Sequence, residues 1–371
     1  MQPDLQFQLD QVARALDKKD YRSATQRLKL LWQENPENPW VQMYRARLYE
    51  AAQKFDQAET IYRHLLRDAM SPKVALQARQ GLQRIQETEQ AQRKAALAAS
   101  KASSPEPGEP GLLVLESIPP TARQSAAQHM AKVMELDPYT ARMQIPNRGW
   151  RLYRLGDLGE MKFYGEQIRS GNIPAFWVAT KKVKSLPIYQ VQSIQEITPQ
   201  AVVICENPAG QVGELVFDWS EVTQRVDGSL PVMAQVVNID VLRDRTDGRN
   251  GKEETLDYLR VCDLHLPKRN CILRFCDGTY DYQDGLLLAD EGSWDQYSTR
   301  MQWNSLMATL TEQAPQMQVW SDFTPFGEFV MDFPVLLHQM NPELKVYNQT
   351  ESLWPSAFHL YSGLAFWRDR D

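Results

Sequence analysis

The stretch Asp20–Trp40, DYRSATQRLKLLWQENPENPW, is echoed further on by Lys54–Pro72, KFDQAETIYRHLLRDAMSP. Tyr21 answers to Phe55, Ala24 to Ala58, Leu28 to Tyr62 and Leu31 to Leu65, each pair 34 residues apart. From Leu5 to about Ile85 the apolar positions recur at helical spacing, interrupted at Asn35 to Pro39 and again at Ser71-Pro72. The pattern predicts two helical hairpins followed by a further helix. Ser71 is placed to cap that helix, and Pro72 suits its first turn, where the missing N–H would have had no partner.

A two-helix unit of this period resembles a tetratricopeptide repeat. The small residue that lets the two helices of a unit approach is Val12 in the first and Ala46 in the second, and Ala24 and Ala58 occupy the small position of the second helices. Tyr49 stands at the family's aromatic position in the first helix, and Pro36 matches its terminal proline. The chain departs from the pattern at Met70, which stands in that proline position, and in lacking the family's Trp and Gly in both units. The resemblance implies stacked hairpins with a concave, protein-binding groove lined by Gln6, Leu9, Ala13, Trp40, Met43, Arg47 and Glu50. Trp, Met and Arg are residue types that contribute strongly at interfaces. The family's clamp for a C-terminal carboxylate is not evident, since only Arg47 is a suitable inward cation. Two repeats bury too little apolar surface to stand alone, so the helix from Ser71 is expected to close the stack.

With 371 residues the chain is long enough for two or three domains. Its net charge of −6 provides no general basic field for nucleic acid or an anionic membrane. The first residues, MQPDLQFQLDQVARALDKKD, lack the basic start and apolar run of a signal peptide, and no stretch approaches the ~20 apolar residues that span a bilayer. The expectation is a cytoplasmic protein, peripheral to a membrane at most. Four cysteines in so long a chain do not make a disulfide scaffold.

The fold class expected is multidomain α+β: a repeat-like helical domain over 1–89, a linker over 90–110, a small α+β domain over 111–187, an antiparallel β-rich domain over 188–298 and an aromatic-rich subdomain over 299–371. Ser, Pro and Gly in KASSPEPGEPG mark the linker. The element order β-α-α-β-α-β after it resembles the small docking domain shared by the Clp protease adaptor and the C-terminal part of the ribosomal stalk protein. From Ile188 the period becomes that of strands, in IYQVQSI, AVVICE, GELVFDW, PVMAQVVNIDVL, YLRVCDLHL, CILRFC and TYDYQ. Short turns between them favour an antiparallel sheet curled into a roll or small barrel, interrupted by the loop DRTDGRNGKEE from Asp244. Trp303, Trp320, Trp354 and Trp367 fall in the last segment, which reads as a subdomain packed on the sheet.

Cys262, His265, Cys271 and Cys276 raise the question of zinc, but no C-x-x-C knuckle occurs and residues five apart in one strand face opposite sides of a sheet. They are read as buried small residues, with no metal. The acidic cluster Asp277, Asp281, Asp284, Asp290, Glu291 and Asp295 lacks the oxygen spacing of a calcium loop. His64, His129, His338 and His359 have no nucleophile at a recognisable spacing, and no phosphate or dinucleotide fingerprint appears. No cofactor is expected. These readings favour a non-enzymatic adaptor or assembly factor that holds a protein partner through the repeat groove. The alternative is a hydrolase or ligand-binding protein with its site in the β-rich half and the repeats serving for localisation. Nucleic-acid binding would rest on RDRTDGRNGK alone. The C-terminal pattern, with TRMQWNSLM, VWSDFTPF and AFHLYSGLAF, also resembles uncharacterised repeat proteins of cyanobacteria, which implies a bacterial cytoplasm and no known chemistry.

Overall fold

The computed structural model describes residues 3–68, 71–104, 106–235, 253–283, 298–342, 344 and 352–370. The chain divides into two compact units, Met1–Ala99 and Ser100–Asp371.

The first unit is helical: α1 (Pro3–Asp17), α2 (Tyr21–Glu34), α3 (Pro39–Ala51), α4 (Phe55–Arg67) and most of α5 (Pro72–Ala102). Side chains start the helices where the sequence supplies short polar residues. Asp20 accepts from the Ser23 N–H at 3.1 Å and Asn38 from that of Trp40 at 2.9 Å, with Pro39 in the first turn of α3. The repeat is exact at the turn inside each hairpin. Lys19 and Gln53, 34 residues apart, both adopt left-handed backbone, with φ of 59° and 57°. The N–H groups of Lys18, Lys19 and Asp20 bond the carbonyls of Arg14, Leu16 and Ala15, and those of Ala52, Gln53 and Lys54 bond their counterparts Leu48, Glu50 and Tyr49. Each helix end thus satisfies its orphan carbonyls in the same way.

The matched apolar positions are the core. Ala24, Leu28 and Leu31 are buried with Leu9, Val12 and Tyr44, while Ala58, Tyr62 and Leu65 are buried with Met43, Ala46, Val74 and Ala78. Close approach of α5 to α4 needs Gly81, because a Cβ there would lie well inside van der Waals contact with the Tyr62 ring. That ring is buried and its hydroxyl donates to Glu50 Oε2 at 2.8 Å, so it has little room to yield. Gly81→Ala adds up to ~1 kcal/mol of helix propensity but overpacks a filled site, which costs ~1–3 kcal/mol. Overpacking wins, and the variant is expected to lower the urea midpoint of the helical unit; a raised midpoint would show that α5 shifts freely.

α5 runs to Ala102, so the first part of the stretch expected as a linker is helix. The reason is composition: QAQRKAALAASKA is made almost wholly of strong helix formers, and Ser, Pro and Gly take over only after it.

The second unit opens with β1 (Pro110–Glu116), α6 (Arg123–Met134), α7 (Pro138–Gln144), β2 (Trp150–Asp157), α8 (Leu158–Arg169) and β3 (Ala175–Ala179), followed by the short α9 (Thr180–Lys184). This is the expected β-α-α-β-α-β order, and β1 lies antiparallel between β2 and β3. Asp137 caps α7 as its position suggested, accepting from the N–H groups of Tyr139 and Thr140 at 3.0 and 2.9 Å. The larger sheet contains β4 (Ile188–Glu196), β5 (Ala201–Glu206), β6 (Val212–Phe217), β7 (Gln224–Gln235), β8 (Glu253–Leu266) and β9 (Cys271–Cys276). After it come α10 (Thr299–Gln313), β10 (Gln318–Trp320), α11 (Phe323–Val330), α12 (Pro334–Leu337) and α13 (Trp354–Trp367).

The seven strands run in the order β10-β7-β8-β9-β4-β5-β6. Two antiparallel meanders, β4-β5-β6 and β7-β8-β9, meet through a parallel pairing of β4 with β9, and β10 adds parallel to β7. The sheet is therefore mostly antiparallel with two parallel pairings, and among the described strands it is open at β6 and β10, where an antiparallel sheet curled into a roll or small barrel was expected. TYDYQ is a turn and coil, not a strand: the Asp281 N–H bonds the Gln192 carbonyl at 2.7 Å and the Tyr280 hydroxyl accepts from the Ile194 N–H at 3.1 Å. The loop from Asp244 lies outside the described residues up to Lys252, its last two residues, Glu253 and Glu254, opening β8, and the last four members of the acidic cluster lie outside them too.

The three segments drawn separately in sequence share one unit and one central core. Leu112, Leu152 and Phe176 of the small sheet, Val226, Val261 and Cys276 of the large one, Phe326 of α11 and Phe358, Tyr361 and Leu364 of α13 belong to a single buried cluster. α13 is largely apolar with no continuous polar face and is buried from Ser356 to Phe366, Ser356, His359 and Ser362 included. Trp303, Leu306 and Leu310 of α10 fill a second core with Val203, Leu264 and Phe275 on the other face of the large sheet. The aromatic-rich tail is interior. Among the described residues no helix is long and apolar enough to cross a membrane.

Candidate functional site

The inward positions read from the repeat register do not all face a groove. Leu9 and Met43 are 2% and 1% exposed and belong to the helical core, Met43 keeping only an edge on a recess beside Arg47. In helices packed this closely an apolar side chain at the border belongs to the core, where burial stabilises it by ~1.5–3 kcal/mol. Trp40 is half-buried and bridges the two apolar clusters, its ring 6.1 Å from that of Tyr44. Gln6 is exposed at the start of the stack and donates to Asp10 Oδ1 at 3.2 Å. Ala13 is half-buried against the first cluster.

Arg47 and Glu50 do come together. They line a cavity of about 480 Å³ with Tyr21, Gln53, Phe55 and Arg84. A recess of about 190 Å³ adjoins it through Arg47 and Arg84 and is completed by Met43, Gln77 and Gln80. Arg84, on α5, grips Glu50 with Nε to Oε1 at 2.8 Å and Nη2 to Oε2 at 3.0 Å. Hydrogen bonding to Glu50 holds the Arg84 guanidinium above its ordinary pKa, while burial and then the Glu50 charge push the Tyr62 phenol up. Glu50 is thereby spent on positioning Arg84 and Tyr62. Arg47 has a looser ion pair with the exposed Asp17, at 3.3 Å, of the kind worth ~0–1 kcal/mol in water. An incoming carboxylate or amide carbonyl would displace it at little cost.

Arg84, Gln77 and Gln80 were not among the expected groove residues, because α5 was read only as a closing helix. The signal was present: Arg84 stands one period after Glu50, and Gln77 one period after Met43.

In the second unit a cleft of about 370 Å³ gathers Arg225, Asp227, Ser229, Arg260, Asn304 and Thr324. Arg225 is fully engaged there, with Nε and Nη2 on the two Asp227 carboxylate oxygens at 2.8 Å each and Nη1 on Thr311 Oγ1 at 2.9 Å. Ser362 Oγ lies 3.0 Å from His265 Nε2, the spacing of a nucleophile and its base. Both are buried, His265 at 1% exposure and Ser362 at 0%, so no substrate reaches them in this conformation. Cys262 and Cys271 lie in the core on one face of the large sheet and Cys276 in the core on the other, as strand spacing predicts.

Residues 15–80 match the family model described as Tetratricopeptide repeat. Comparisons with curated proteins and with solved structures found no match, so the likenesses of the small sheet domain and of the C-terminal pattern rest on element order and sequence pattern alone. The chain carries a tetratricopeptide repeat region, a module that in general mediates protein–protein interaction.

Proposed function

We propose that the protein is a non-enzymatic adaptor or assembly factor that holds a partner protein in the repeat groove around Arg47, Glu50 and Arg84. The observation that carries this reading is the convergence of two arginines, one loosely paired and one held by Glu50, on adjoining recesses of the same helical stack. Such a surface suits an extended segment bearing carboxylates or backbone carbonyls. The reading includes a cytoplasmic location, supported by four unpaired, buried cysteines, and keeps the cyanobacterial likeness of the tail as its guess of source.

Affinity capture with the full chain tests it. Arg47→Ala with Arg84→Ala should lose a partner that wild type retains, while circular dichroism stays unchanged; identical captures from the two would overturn the groove assignment. The second reading, a ligand-binding protein, is favoured by one observation, the polar cleft beside Arg260. It predicts that Arg260→Ala, and not the repeat variant, abolishes the activity.

A further inference from the structure

The far side of α3 carries a different surface. Helical periodicity sets Arg45, Leu48, Tyr49 and Ala52 about half a turn away from Met43, Arg47 and Glu50. With Leu28 and Trp32 of α2 they enclose a groove of about 500 Å³, which touches the first cavity only at Tyr21 and Ala51. Its walls are aromatic and aliphatic. Its charged residues are Lys29, Arg45 and Lys54, and no carboxylate lines it.

Arg45 is held unlike its neighbours. Arg47, Arg63, Arg67 and Arg84 each reach a carboxylate, on Asp17, Glu59, Asp68 and Glu50. Arg45 instead lies over the Trp32 ring, 4.2 Å from its centroid, and 5.3 Å from that of Tyr49. Its Nε and Nη2 donate to the Tyr49 hydroxyl at 3.3 and 3.1 Å. Those bonds use two of the five N–H groups of a guanidinium and leave the Nη1 side with no partner among the described residues. Fixing the group in advance removes most of the entropy cost of a later bidentate bond.

Charge decides the occupant. Three cations with no lining carboxylate disfavour a basic segment, and a groove of this size takes one or two side chains rather than a folded surface. We propose that this groove docks a short acidic segment of a partner protein, with one carboxylate forked on Arg45 and an adjacent apolar side chain laid between Trp32 and Leu48. The site lies apart from the Arg47–Arg84 recesses, so one repeat stack would hold two segments.

Titration calorimetry on the full chain tests this with a short peptide of alternating glutamate and leucine around a central phenylalanine. The control peptide has glutamine at every glutamate. Wild type should bind the acidic peptide about tenfold more tightly than the control, the worth of one charge-assisted pair. Arg45→Met, which keeps the alkyl stem on Trp32, should remove that difference, whereas Arg47→Met should leave it intact. Should Arg45→Met lose helicity, Lys29→Gln with Lys54→Gln, both at exposed positions, should weaken the acidic peptide several-fold and flatten its salt dependence. Equal affinity for the two peptides, no saturable binding by wild type, or equal loss in Arg47→Met would overturn the proposal. So would self-association of the protein abolished by Arg45→Met, which would assign the groove to a second copy.

Discussion

Asp263→Ala is expected to destabilise the second unit by ~3–5 kcal/mol, the cost of leaving a buried guanidinium without its partner. Asp263 and Arg274 stand directly opposite each other on β8 and β9 and are 0% and 1% exposed. Their two parallel bonds measure 2.8 and 2.6 Å, Arg274 also donates to the Pro342 carbonyl, and its guanidinium lies 5.1 Å from the Phe358 ring of α13. The pair therefore ties the large sheet to α13 and to the chain leaving α12. Its net contribution against an apolar pair is small, because desolvating two charges offsets most of their attraction. The single and double variants should differ accordingly: Asp263→Leu with Arg274→Met should lie within ~1–2 kcal/mol of wild type. Urea unfolding followed through the far-ultraviolet strand signal reports this unit, since no strand lies among the described residues of the first. A single variant as stable as wild type would mean that water or a rotated carbonyl neutralises Arg274.

The helical repeats were legible because their information is local. A small residue where helices cross, repeated one period later, is fixed by neighbours within a few turns, and even the left-handed turns at Lys19 and Gln53 recur at the same interval. Element order in the second unit was legible for the same reason. What sequence did not disclose was pairing between distant segments. Ile188 lies beside Ile272 in the parallel β4–β9 pair, and nothing in either strand specifies the other. The same holds for α13, whose apolar character announced burial without saying against what. Its partners are spread along the chain from Leu112 to Met340.

The candidate site divides along the same line. Arg47 and Glu50 were found by repeat register, a local rule, and they share a cavity. Leu9 and Met43 stand at positions of that register and are almost wholly buried, Met43 keeping only an edge on the smaller recess, since a groove's edge is set by how far the next helix leans over it. Arg84 needed the register carried into a helix that shows no repeat signature of its own. Arg45 was beyond sequence reasoning: its distinction is that it rests on Trp32 and Tyr49 and has no ion pair among the described residues, which only the packed arrangement reveals.

Acid should unfold the second unit in a window set by two buried histidines. Burial, then the nearby Arg370 and Arg274 charges, pushes His265 down to about 3, and burial with the Arg274 charge pushes His359 to about 3, from an ordinary 6.5. His359 Nε2 donates to the Val183 carbonyl at 3.2 Å, which leaves Nδ1 unprotonated in the interior with no described partner. His265 is enclosed by Ser362, Gln224 and the Phe366 ring. Among the described residues neither ring has a carboxylate hydrogen-bonded to it that would welcome a proton. Above about pH 6.5 both are neutral folded or unfolded, and stability is at its full value. Between about 6.5 and 3 the unfolded chain takes up protons that the folded one refuses, so stability falls as pH falls, by up to ~1.4 kcal/mol per pH unit for each histidine. Ordinary carboxylates titrate near ~4, so the interval from pH 7 to 5 isolates the histidine effect. The urea midpoint of the strand signal should drop across that interval in wild type. In His359→Leu the slope should be about half as steep, although the variant starts lower for want of the Val183 bond. A midpoint flat from pH 7 to 5, or an unchanged slope in the variant, would mean that these rings accept protons in the folded state and that the interior of the second unit is open to water.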